Sequence, residues 1–457
     1  MSILQWFVDL GASVMLPIII FLFALVLGTK PGKAFRSGLT VGIGFIGLNL
    51  VIGLLTDSLG PAAQAMVDNF GFQLHTIDIG WPASAAISYG TALGSLAIPL
   101  GLAVNVILLM TGLTKTMNID VWNYWHCAFT GSLVYALTSD FALGLFTIVV
   151  HLLLIFLLGD LIAKDIEKFY GYRNITFPHA GSAPSYLVAK PFNWMFDRIP
   201  GFNKLAANPE AIQKRLGIFG DTTVMGVIIG IVIGLLAGYN VTETLQLSVQ
   251  TGAVMLLMPR MVSLLMEGLA PVSEAAGNVV KKRFPGRDLY IGMDSALSVG
   301  HPTVLSASLL IVPITLFLAV ILPGNTVLPF GDLATIPFLI CLMVPVFNGN
   351  IIRTVIAGSL YIGVGLYIAT WVTPLFTDAA KAASFDMGTN TSISSLVDGA
   401  VWTTFIFVGL AKLISWYGIG FIGLVVLLLL VSRRKIDSNN QTEEIEKPLE
   451  KISGIDN

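Results

Sequence analysis

Asp294 and Ser295 stand side by side in Gly292-Met293-Asp294-Ser295, a polar break in an otherwise apolar stretch. A carboxylate there can accept hydrogen bonds from a hydroxyl-bearing solute and can take the proton of a reacting hydroxyl within reach, which makes Asp294 the candidate base. The competing reading is a helix N-cap, because Asp and Ser often begin helices. His301 precedes Pro302, a natural helix start, and is either a structural imidazole or a ligand contact. His179, in Thr176-Phe177-Pro178-His179-Ala180-Gly181-Ser182, either folds back under a pocket or belongs to a docking surface. Asn348, Asn350 and Arg353 form another group: the guanidinium suits a bidentate oxyanion, with amides beside it for hydroxyls, while the plainer reading is a cationic anchor at a turn. Asn123 and His126 sit among Trp122, Tyr124 and Trp125, of which Trp122 is expected in an interfacial aromatic belt. Ser88, in Ala86-Ile87-Ser88-Tyr89-Gly90, completes the candidate set.

The chain that must position these groups has 457 residues, 55 % of them hydrophobic and only 11 % charged. Its mean hydropathy is +0.82, far from the roughly 25 % charge of an average soluble domain. It requires a bilayer, and the expectation is an all-α polytopic membrane protein. Apolar runs long enough to cross about 30 Å of hydrocarbon fall at 11–28, 38–56, 92–113, 122–138, 141–159, 222–238, 245–266, 303–322, 333–347, 350–371 and 400–431, eleven in all. Lys30, Lys33 and Arg36, eight cations between Lys164 and Arg215, the Lys281 to Arg287 group, and Arg433 to Lys435 all fall on one side of that path, with Lys381 the exception. The positive-inside rule then puts the N-terminus outside and the C-terminus in the cytoplasm. The first apolar run lacks a cationic leader and is expected to stay rather than be cleaved.

Cys127 and Cys341 lie in apolar surroundings with no Cys-x-x-Cys and no His at ligand spacing, so neither a disulfide framework nor a metal site is expected. No nucleophilic triad, Walker loop or dinucleotide fingerprint is present. Cofactors are not expected. Nucleic-acid binding is excluded by the want of a basic face carrying stacking aromatics.

Two matches at an offset of 210 point to an internal repeat: Leu59-Gly60-Pro61-Ala62-Ala63-Gln64-Ala65 with Leu269-Ala270-Pro271-Val272-Ser273-Glu274-Ala275, and Ala86 to Gly90 with Ala296 to Gly300. On the topology above the copies face opposite sides, as two inverted five-helix repeats plus a terminal helix require. Residues 79–91 and 291–302 are too short and too rich in Gly, Ser and Pro to cross. Broken backbone at corresponding places in two repeats marks a re-entrant pair and a midplane site, although surface loops are the alternative.

The pattern through Gly28-Thr29-Lys30-Pro31, Ile77-Asp78-Ile79-Gly80-Trp81-Pro82, Gly292-Met293-Asp294-Ser295 and Phe347-Asn348-Gly349-Asn350 resembles, over about residues 5–435, the enzyme IIC membrane subunit of the phosphotransferase system (PTS), galactitol family. The resemblance implies a homodimer in the bacterial inner membrane, related in fold to the ascorbate permeases, in which a core moves like an elevator against a scaffold. It implies galactitol as substrate, and separate IIA and IIB proteins, the latter a phosphocysteine donor, as partners. Phosphoryl chemistry would belong to those partners, so whether this chain counts as an enzyme stays open. On this scheme 1–56 and 219–266 are scaffold, 57–159 and 267–431 core, 160–218 a cytoplasmic loop and 432–457 a disordered tail. An ion-coupled secondary transporter is the rival reading, since broken helices and a buried Asp suit it too.

Overall fold

The computed structural model describes residues 12–70, 74–200, 202, 221–283, 289–299, 301–388 and 390–453. Gly300, all of 203–218, Arg287 and the first eleven residues, all used in the sequence reading, lie outside the described residues.

The chain is mostly helical. Helix α1 (Ala12–Val26) leads into α2 (Pro31–Phe70), strand β1 (Thr76–Asp78) and helix α3 (Trp81–Gly90); a 3-10 turn (Gly94–Leu96) and α4 (Ala97–Thr111) follow. Then come β2 (Thr116–Asn118), a 3-10 turn (Trp122–Tyr124), α5 (Trp125–Thr138), α6 (Phe141–Tyr170), β3 (Ile175–Thr176) and α7 (Ala183–Phe196). The second half runs α8 (Thr222–Leu236), α9 (Val241–Arg283), β4 (Tyr290–Gly292), α10 (Ala296–Val299), α11 (Pro302–Ile321) and β5 (Val327–Leu328). It continues through a 3-10 turn (Leu333–Thr335), α12 (Ile336–Ile340), α13 (Met343–Val346), α14 (Ile351–Ala382), β6 (Ile393–Ser394), α15 (Leu396–Gly399) and α16 (Trp402–Ser453). Both sequence matches fall on helices: Leu59–Ala65 lies in α2 and Leu269–Ala275 in α9, while Ala86–Gly90 lies in α3 and Ala296–Val299 forms α10.

Among the described residues, five helical stretches are long and apolar enough to cross a membrane: Gly94–Thr111, Phe141–Tyr170, Pro302–Ile321, Ile351–Ala382 and Trp402–Lys435. Several expectations change. Helices α2 and α9 run for 40 and 43 residues, so the boundaries set at 56/57 and 266/267 cut continuous helices. The apolar Leu-Ala-rich turns after each polar interruption sustain helix through Pro61 and Pro271. The expected span 333–347 is a 3-10 turn and two short helices instead: Pro337 stands in the first turn of α12, where it is accommodated, but Pro345 lacks the N–H that would continue that helix through Cys341. Residues 432–453, expected to be disordered, continue α16, consistent with their content of Glu, Lys, Gln and Leu, which are good helix formers. That helix is interrupted at Ile414 and Ser415, where Ser415 takes φ +47°.

Helices α2 and α9 pack along each other, with α1 on α2 and α8 on α9. Small residues permit the approach: a Cβ on Gly38 would lie 2.6 Å from the Pro17 carbonyl oxygen, and one on Gly230 would lie 2.5 Å from Ser248 Cα. A second group joins α5 to α6, α16 to both, and α11 to α14, with α3 against α5.

Two three-stranded parallel sheets interlock the halves. β1 lies between β5 and β6, with Thr76 opposite Val327 and Ile77 opposite Ile393. β4 lies between β2 and β3, with Thr116 opposite Tyr290 and Ile175 opposite Ile291. Each central strand comes from one half and both its neighbours from the other. The pairing satisfies short runs of extended backbone that would otherwise sit unbonded among apolar helices.

The crossing of β1 and the segment after β5 is tight. Gly80 has φ +81°, and a Cβ on Gly331 would lie 2.7 Å from both the Asp78 carbonyl oxygen and Gly80 Cα. Gly331→Ala is therefore expected to destabilise the fold by about 1–3 kcal/mol through overpacking. Gly363→Ala, whose Cβ would meet only Leu318 Cδ1 at 3.5 Å, should be close to neutral. Thermal unfolding of the two detergent-solubilised variants checks this; equal melting temperatures would contradict it.

Candidate functional site

Where the helical path breaks, two polar clusters form. The first is built on carboxylates that serve the backbone. Asp78 Oδ1 accepts from Gly80 N at 3.1 Å and its Oδ2 from Asp332 N at 2.8 Å. Asp332 Oδ1 accepts from Trp81 N at 2.6 Å, and Oδ2 from Ser395 Oγ at 2.7 Å and Val397 N at 3.1 Å. Both carboxylates are fully buried, and together they tie the turns after β1, β5 and β6 to one another.

The second cluster is built on imidazoles. His126, in the first turn of α5, is 1 % exposed, and its Nδ1 lies 2.9 Å from both oxygens of Asp398 in α15. Its Nε2 lies 3.4 Å from Nε2 of His179, in the turn between β3 and α7. His179 Nε2 stands 3.9 Å from Asp294 Oδ1, and its Nδ1 stands 3.4 Å from Ser182 Oγ. Ser182 and Ser295 share a hydrogen bond of 2.8 Å. Asp294, 18 % exposed at its side chain, is the least buried of the four charged or imidazole groups. Gly181 makes the approach possible: a Cβ there would come within 3.1 Å of His126 Cε1 and 3.2 Å of His179 Cε1. Trp125 stacks over the His126 ring, with centroids 3.9 Å apart.

The structure thus brings together Asp294, Ser295, His179 and His126 from three segments distant in sequence. His126 uses both ring nitrogens on protein partners, which leaves neither for a ligand contact. Asn123 lies at the margin, its amide donating to the half-buried Asp120 carboxylate. Asp294 also meets the competing reading, since Ala296 N donates to its Oδ1 at 2.8 Å at the start of α10.

The other candidates lie elsewhere. His301 caps α11, its Nδ1 accepting from Thr303 N at 3.2 Å, with its ring against Phe169 and Tyr170. Asn350 caps α14 by accepting from Arg353 N, and Asn348 is an exposed turn residue at φ +49°. Arg353 is buried and held by Asn193 Oδ1 at 2.6 Å and Asp197 Oδ1 at 2.7 Å, so its guanidinium fastens α14 to the end of α7. Ser88 donates within α3 to the Ser84 carbonyl. Trp122 is buried against Tyr89 and is not an interfacial belt residue. Lys412 sits over the Trp371 ring.

Sequence reasoning missed Asp398, Ser182, Asp120 and the Asp78–Asp332 pair. One signal was present: Asp398 is an acid within a small-residue break, Ser394-Ser395-Leu396-Val397-Asp398-Gly399, and membrane-embedded acids default to function.

Among the described residues no group of three or more His, Cys, Asp or Glu side chains is arranged so that it could hold a metal ion. The contrast between the clusters can be measured. His301→Ala removes one cap and should cost about 0.5–2 kcal/mol. Asp332→Ala strands the Trp81 and Val397 amides and the Ser395 hydroxyl, each worth about 1–3 kcal/mol when buried without a partner, so its fall in melting temperature should be severalfold larger.

The geometry can be set beside known proteins. A family profile described as PTS system sugar-specific permease component, EIIC-GAT, matches residues 6–390. The chain is 42 % identical over 388 residues to the PTS system galactitol-specific EIIC component of Escherichia coli strain K12, covering 85 % of this chain and 86 % of that one. It is 37 % identical over 431 residues to a putative permease IIC component of the same strain, covering 94 % and 97 %. With a family match spanning most of its length, and with buried polar clusters between apolar helices, the chain belongs to the family of PTS sugar-specific permease components and is a membrane protein.

Proposed function

We propose that this chain is the translocating subunit of a PTS that takes up a linear sugar alcohol, galactitol first among candidates, and presents it to phosphorylated IIB. The observation that carries the reading is the cluster in which Asp294 and Ser295 of the second broken segment meet His179 and Ser182 of the turn between β3 and α7, in a chain 42 % identical to a galactitol-specific component. A polyol presents hydroxyls that both donate and accept. Carboxylate, imidazole and hydroxyl groups match that surface without requiring a charged ligand. Asp294, the most exposed of them, is assigned to accept from substrate hydroxyls, beside His179.

The two halves act as inverted repeats in this proposal. The packed α1, α2, α8 and α9 form the scaffold, and the helices around α5, α6, α11, α14 and α16 form a core that moves past it. The scaffold face joins two copies as a homodimer in the inner membrane, N-terminus outside and C-terminus cytoplasmic. IIA and IIB are the cytoplasmic partners, with the phosphoryl group arriving from a cysteine of IIB.

Vesicles containing the purified chain test the reading. Labelled galactitol should accumulate as its phosphate ester only when phosphorylated IIB is supplied on the cytoplasmic face. Asp294→Asn should weaken galactitol binding by about tenfold, equivalent to loss of roughly 1.4 kcal/mol. Accumulation of free galactitol driven by an ion gradient would instead make the chain a secondary transporter.

A further inference from the structure

The hydrogen bonds around His126 have a direction. Both Asp398 oxygens lie 2.9 Å from His126 Nδ1, the two-pronged approach of a carboxylate accepting from one N–H, and with Asp398 ionised, able only to accept, the hydrogen stays on that nitrogen. His126 Nε2 is then the lone-pair nitrogen. It faces Nε2 of His179 at 3.4 Å, and a bond between them requires His179 to carry its hydrogen on Nε2. The lone pair of His179 is thereby placed on Nδ1. The tautomers of both rings follow from one buried acid, as a carboxylate sets the tautomer of a catalytic imidazole.

That Nδ1 is loosely held. Ser182 Oγ lies 3.4 Å away and has a closer partner in Ser295 at 2.8 Å. Asp294 stands on the Nε2 side at 3.9 Å, beyond hydrogen-bond reach, and does not interrupt the line to His126. The other titratable neighbours are His151, whose charge would interact with that of His126, and Cys127, next to Asp398. Neither hydrogen-bonds to the line among the described contacts.

We propose that Asp398, His126 and His179 form a proton relay in which His179 Nδ1 takes the proton of the attacking sugar hydroxyl and His126 stores it. The inference rests on the permease reading above and assigns the base to His179 rather than to Asp294. In the step, the substrate O–H bond breaks as its oxygen bonds to phosphorus. The S–P bond of the phosphocysteine donor breaks, and its electron pair remains on the thiolate. The hydroxyl proton passes to His179 Nδ1 while the hydrogen on His179 Nε2 passes to His126 Nε2. His126 becomes an imidazolium against the Asp398 carboxylate, so the buried pair goes from one net negative charge to none. In a low-dielectric interior an ion pair is far less costly than a lone ion, and this favours the forward shift. His179 is the catalytic residue; His126 and Asp398 position it and hold the proton.

The test uses the full-length protein in vesicles with phosphorylated IIB, reading galactitol binding and single-turnover phosphorylation separately. His126→Gln keeps size and hydrogen bonding but cannot be protonated. It should retain galactitol affinity while phosphorylation falls by about 10²–10⁴-fold, the usual contribution of acid–base catalysis. Asp398→Glu should keep more of the rate than Asp398→Asn. The wild-type single turnover, which needs no variant to fold, should slow in deuterated water. A His126→Gln protein that phosphorylates at the wild-type rate would overturn the relay, as would rate and affinity falling together or a wild-type turnover insensitive to deuterium. Wild type that binds galactitol and never phosphorylates it refutes the permease reading itself, a result seen before any variant is compared.

Discussion

The Asp332 carboxylate holds the rest of the architecture in place. Backbone that leaves the helical path at membrane depth has no water to bond, and every exposed amide there costs free energy. Asp332 receives the amides of Trp81 and Val397 and the hydroxyl of Ser395, while its own amide is received by Asp78. One side chain therefore licenses three breaks: the turn into α3, the turn after β5 and the turn into α15. Asp398, four residues beyond α14's partner strand, is where it is because that third turn is held.

The two polar clusters stand at related places in the two halves but do different work. Asp332 and Asp120 each precede a one-turn 3-10 helix after a flanking strand. Around Asp332 the acceptors are saturated by backbone donors, a closed arrangement with nothing left for a solute. Around Asp294 the partners are hydroxyls and imidazoles, groups that can exchange one donor for another.

Much of this was legible in the sequence and some was not. The apolar runs gave the helices because helical backbone satisfies itself, so composition suffices. The offset matches at Leu59 and Leu269 fell on the two long helices α2 and α9, and Asp294 drew attention as an acid in a small-residue break. The two-residue and three-residue strands left no periodic trace, since a pair such as Val327–Leu328 is too short to show alternation. Helices α2 and α9 were cut short because hydropathy falls where they meet polar surroundings, although helical propensity does not. His301 and His179 could not be separated from local sequence: each is a lone imidazole near Pro, and only tertiary placement makes one a cap and the other part of a charged line. Asp398 was invisible as a partner of His126 because 272 residues separate them.

The interlocked sheets have a consequence for how the chain is made. Thr76 of β1 meets Ser392, 316 residues later, so at about 5–20 residues per second of synthesis the first strand emerges roughly 15–60 s before its last neighbour. Through that interval the N-terminal half, though it contains helices able to enter the bilayer, carries an unfinished joint. Neither half is a self-sufficient unit, because each sheet takes its central strand from one half and both neighbours from the other.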